Sequence, residues 1–136
     1  MTKESSVNDG KAQPGIRTKL FIANETIGVG KIDLLELLGQ VGSISAAARE
    51  MNMSYKRARF LLDSMQSGFH DHLYLIKKSG SEESCTTLTP LGKDLIRRYR
   101  AHACVVDKQS AEILAWMNSV QVSRKKKRGL KLKNAL

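Results

Sequence analysis

The chain has 136 residues, room for one ordinary domain with extensions rather than two. Apolar residues make up 41% of it, enough for a core, yet no apolar run approaches the ~20 residues of a membrane span and no signal-peptide stretch opens the N-terminus. The net charge is +10, which points to a polyanionic partner and leaves DNA, RNA and anionic membrane to be separated by other features. A cytoplasmic protein is expected.

The first 15 residues, "MTKESSVNDGKAQPG", are polar and aperiodic and read as a disordered arm. "RTKLFIA", Arg17 to Ala23, predicts an edge strand, and "NETIGVG" after it a turn. From Lys31 the spacing of Ile32, Leu34, Leu35, Leu37 and Leu38 predicts a helix, with Gly39 and Gly42 bracketing its end. A short second helix is expected from Ser45, read as its cap, to about Met51. Its Ala46–Ala48 run would let a neighbouring helix approach closely.

A third helix should follow Met53, capped by Ser54. Ala58, Leu61, Leu62, Met65 and Phe69 make its core stripe. At ~100° per residue, Lys56, Arg59, Phe60 and Asp63 then lie on the other side. "HLYLIKK" and "CTTLT" flank the turn-like "SGSEES" and predict a hairpin. Thr89 then Pro90 is a helix start, and one helix from Pro90 to about Ser119 is expected.

Along that helix Leu95, Tyr99, His102, Val106, Gln109, Ile113, Trp116 and Val120 recur at alternating spacings of four and three, a coiled-coil seam. A helix of ~30 residues would span ~45 Å, longer than so small a domain is wide. A second copy of the chain is the expected partner. Beyond it lies "RKKKRGLKLK", with seven of the 23 basic residues and no acid, which leaves the remainder at +3. Arg124, Lys125, Lys126, Lys127 and Arg128 are read as sequence-independent phosphate contacts.

These elements describe a mainly α protein with a small β wing: a winged helix-turn-helix followed by a long C-terminal dimerisation helix. Residues 16–89 would be the DNA-binding domain, 90–120 the dimerisation helix and 121–136 a basic tail. "GSISAAAREMNMSYKRARFLLDSM" and "LTPLGKDLIRRYR" resemble the N-terminal DNA-binding domain of ModE-type molybdate-responsive regulators, and more distantly the LysR-type domain. The resemblance runs from about Arg17 to Ser119. It implies a bacterial, dimeric transcription regulator that places its third helix in the major groove of a pseudo-palindromic operator. Ser54, Tyr55, Lys56, Arg57 and Arg59 stand where such regulators contact DNA. ModE-type regulators carry C-terminal molybdate-binding domains where this sequence has its basic tail, so no molybdate site is expected in this chain. Their wing is glycine-rich, whereas "KKSGSEESC" offers Lys77 and Lys78 to a phosphate but adds Glu82 and Glu83, which a phosphate repels.

Among individual side chains, Arg57 and Arg59 suit bidentate contact with guanine, and Lys56 suits guanine or phosphate. Ser45 combines a capping role with a phosphate contact. Phe60 would touch a thymine methyl or pack under the wing, packing being the expectation. His70 and His72 flank Asp71 with no further ligand in view and read as surface histidines, so no metal is expected, and Cys85 and Cys104 read as free thiols. Glu82 and Glu83 form no catalytic pair, and no phosphate loop or nucleophile elbow is found, so neither a cofactor nor an enzymatic activity is expected. The alternative is a dimeric protein-interaction module with only nonspecific nucleic-acid affinity. An RNA or chromatin-like binder driven by the tail is a third reading.

Overall fold

The computed structural model describes residues 13–78 and 84–122, and they form helices with two small antiparallel hairpins. Leu20–Ile22 (β1) pairs with Glu25–Ile27 (β2), Leu20 opposite Ile27 and Ile22 opposite Glu25, so Ala23 and Asn24 alone make the turn. The expected turn over "NETIGVG" is therefore half strand, because the buried Ile27 anchors β2 in the core. Two-residue hairpin loops require a positive φ, and here Ala23 adopts it at 58°. A Cβ disfavours that conformation, so Ala23→Gly is expected to raise stability by about 1 kcal/mol, less some loss from the freer unfolded chain. Urea unfolding midpoints measure this, and a lower midpoint would contradict it.

Val29–Val41 (α1) supplies the centre of the core through Ile32, Leu34, Leu35 and Leu38, all fully buried. It stops at Gly42, whose left-handed φ of 78° lets its N–H return to the Leu38 carbonyl at 2.9 Å. Ile44–Glu50 (α2) has its cap two residues earlier than expected, at Ser43 and not Ser45: the Ser43 hydroxyl accepts the Ala46 N–H at 3.0 Å. That register brings Ile44, Ala47 and Ala48 into the core, which a start at Ser45 would deny to Ile44. Asn52, at φ 57°, turns the chain into Tyr55–Gln66 (α3). Ser54 caps α3 as expected, accepting the Arg57 N–H at 3.0 Å. Ala58, Leu62 and Met65 are buried along α3, and Leu61 and Phe69 pack against the same core.

Tyr74–Lys78 (β3) and Ser84–Leu88 (β4) form the second hairpin, with Tyr74 opposite Leu88 and Lys78 opposite Ser84. The Thr86 N–H donates to the Gly42 carbonyl at 2.8 Å, which holds β4 beside the turn between α1 and α2. Thr89 links the hairpin to Pro90–Gln109 (α4). Its hydroxyl donates to the His72 carbonyl at 2.7 Å and accepts the Gly92 N–H at 3.0 Å.

Polar ties join these elements. Lys31 on α1 donates to the Thr26 carbonyl at 2.8 Å and the Ser64 hydroxyl at 2.9 Å, and Ser64 donates to the Glu25 carboxylate at 2.5 Å. On the far side of α1, Arg100 of α4 bridges Asp33 at 2.8 Å and Glu36.

Among the described residues, those from Arg17 to Val106 form one body, and 107–122 belong to another. The continuous helix expected up to Ser119 is interrupted. α4 ends at Gln109, Ser110 makes a turn through an N–H bond to Asp107, and Ala111–Val120 (α5) follows. The stretch from Asp107 to Ser110 carries no apolar anchor, and a serine side chain competes with helical backbone bonds. The expected seam divides as well. Tyr99 is buried in the protein's own core, its hydroxyl donating to the Thr18 carbonyl at 2.5 Å, and Leu95, partly buried, packs against that core. His102 is exposed. On α5, Ile113, Trp116, Met117 and Val120 form an exposed stripe at i, i+3, i+4 and i+7.

Candidate nucleic-acid interface

The outward side of α3 begins with three cations within five residues, and the Ser54 cap fixes where they point. Ala58, Leu62 and Met65 face inward, so Lys56 and Phe60 project from the middle of the opposite side, with Arg57 and Arg59 on its two flanks. Arg59 lies on the flank facing the second hairpin. There a cleft of about 410 Å³ is lined by Ser43, Ile44, Ser45, Tyr55, Arg59, Ile76, Lys78 and Thr86. A second cleft, about 290 Å³, lies between Arg59, Asp63, Gln66, His72, Tyr74, Leu75 and Ile76. Arg59 stands between the two.

Its guanidinium is held from both sides: one N–H group donates to the Tyr55 hydroxyl at 3.3 Å, and Nε lies 3.4 Å from the Asp63 carboxylate. The Tyr55 bond, with Asp63 helping, raises its pKa further, so it stays cationic at any working pH. Guanidinium N–H groups remain free to meet a base edge or a phosphate in the cleft. Tyr74, at the floor of the second cleft, has its phenol pushed above the usual range by burial.

Four of the expected contact residues thus share one cleft: Ser45, Tyr55, Arg59 and Lys78. Strand alternation sends Lys77 to the opposite face of the hairpin from Lys78. Arg57 and Lys56 line neither cleft. Phe60 is 62% exposed, which overturns the expected packing under the hairpin. Sequence reasoning missed Ser43, which lines the cleft while capping α2; the signal was the pair of serines either side of Ile44. Glu82 and Glu83, and the basic residues from Arg124 onward, lie outside the described residues.

No family model matches the chain. Over 100 residues it is 33% identical to the molybdenum-pterin-binding protein MopB of Rhodobacter capsulatus. The match covers 74% of this chain, which spans 36% of that relative's length. No helix among the described residues is long and apolar enough to cross a membrane, and none of their His, Cys, Asp and Glu side chains cluster in threes to hold a metal.

Proposed function

We propose that this chain is a sequence-specific DNA-binding module of the winged helix-turn-helix type, acting as a cytoplasmic homodimer on a pseudo-palindromic site. The observation that carries this reading is the capped start of α3, where Lys56, Arg57 and Arg59 project from a helix whose other face is locked into the core. A 12-residue helix is ~18 Å long and narrow enough for the ~12 Å major groove. In this reading α2 supports α3, and the second hairpin is the wing, with Lys78 beside the cleft that Arg59 enters. The α5 stripe supports the dimer, since four apolar side chains at helical spacing are left to water. The basic stretch from Arg124 adds affinity that is salt-dependent and blind to sequence.

The kinship with MopB, a molybdenum-pterin-binding protein by name, favours a place in molybdenum-dependent regulation, as does the resemblance to ModE-type regulators. No molybdate-binding role and no catalytic role is assigned to the residues of this chain. A second reading, a dimeric interaction module with only nonspecific nucleic-acid affinity, draws on the same α5 stripe.

Selection of bound duplexes from a random pool separates the two. A regulator yields one enriched motif with two half-sites, and its binding survives a thousandfold excess of random DNA, the order of specificity such proteins reach. An interaction module yields no motif, and random DNA titrates it completely.

A further inference from the structure

We infer that Phe60 reads the 5-methyl group of thymine in the major groove. This rests on the reading of α3 as the helix that faces DNA.

Lys56, Phe60, Asp63 and Ser67 run down the middle of the outward side of the capped helix, so Phe60 sits one turn in, directly below Lys56. It is 62% exposed, belongs to no part of the core cluster and lines neither cleft beside Arg59. A lone exposed phenylalanine is ordinary on a protein surface. This one stands at the centre of a face flanked by Lys56, Arg57 and Arg59, and that position gives it a specific partner. Cations on this face attract phosphates and polar base edges alike. A phenyl ring gains nothing from either, because phosphates and base heteroatoms must give up water to meet it. The apolar feature of the major-groove edge is the thymine methyl, which no other base carries there. The contribution of Phe60 is therefore discrimination, thymine over cytosine, with little effect on affinity for random DNA.

The test uses the full chain and its selected duplex, with each thymine in turn replaced by deoxyuridine, which lacks only the methyl. The native protein should lose about fourfold in affinity at one position per half-site, the effect of one buried methyl-sized group. Phe60→Ala should bind thymine and deoxyuridine duplexes equally there, while Phe60→Leu, still apolar, keeps part of the preference. Phe60 is exposed, so both variants fold. Indifference of the native protein to every substitution overturns the inference and leaves the DNA-binding reading standing. So does an unchanged deoxyuridine penalty in Phe60→Ala. Failure to enrich any motif overturns the DNA-binding reading itself and this inference with it.

Discussion

Gly92→Ala is expected to destabilise the Arg17–Val106 body by about 3 kcal/mol, the upper end of what overpacking costs. Gly92 lies buried in the first turn of α4, where that turn presses on the end of the chain segment leading into β3. A Cβ there would run into the carbonyl oxygen of Leu73, far inside van der Waals contact. The oxygen has little room to retreat, because it accepts the Thr89 N–H at 3.0 Å and lies 3.1 Å from the Thr89 hydroxyl. Relief by shifting α4 outward would loosen those bonds and lift Leu95, Ile96 and Tyr99 from the core. At an open helix position the same substitution would stabilise by about 1 kcal/mol, so the sign of the change is diagnostic. Equilibrium denaturation measures it, and an unchanged or raised midpoint would show that α4 is not pinned at this point.

Arg59→Ala is the substitution expected to matter most for DNA. It should weaken binding to the selected duplex by roughly 1–3 kcal/mol and relax preference at one base position. Part of that loss comes from what the substitution leaves behind. Asp63 is 58% exposed, and without its guanidinium partner it presents a bare negative charge toward phosphates. Asp63→Asn in the Arg59→Ala background separates the two effects, restoring affinity for all sequences alike without restoring the base preference. Competition binding over single-base variants of the duplex reads both. Should Arg59→Ala weaken selected and random DNA by one common factor, Arg59 is a phosphate contact and the base readout lies in Lys56 or Arg57.

How far such residues could be located from the sequence depended on whether local chemistry or tertiary packing decided each element. Local signals sufficed for α3, where Ser54, the stripe from Ala58 to Met65 and the basic start all agree, and for Thr89–Pro90, a cap followed by the imino acid suited to a first turn. They failed where two local answers compete. Ser43 and Ser45 are equally good caps in isolation, and the burial of Ile44 chooses between them. Glu25–Ile27 is too short and too polar to announce a strand, and forms one because Ile27 has a core to enter. The seam is ambiguous for a related reason. Positions such as Leu95 and Tyr99 satisfy a heptad pattern whether their partner is another chain or the same one, and only the fold shows that Tyr99 is bonded to the Thr18 carbonyl and that Leu95 packs against the core of this chain. The cleft beside Arg59 was illegible, since it joins α2, α3 and a hairpin distant in sequence, although its cationic members were recognisable one by one.

The tie from Lys31 to Thr26, Ser64 and Glu25 bears on how the molecule opens. If the first hairpin swung away alone, it would take with it the carbonyl that holds one of the ammonium protons and strip the carboxylate from Ser64. The helix carrying Lys56, Arg57 and Arg59 would then lose its only polar fastening to the hairpin among these three bonds. Partial opening of the first hairpin is thereby linked to loosening of α3. Backbone amides of β1, β2 and the middle of α3 should exchange with solvent through one shared event, as a single unit in time. The segment preceding α1 thus works as a latch on α3, a helix it meets through a single side-chain bond among these three.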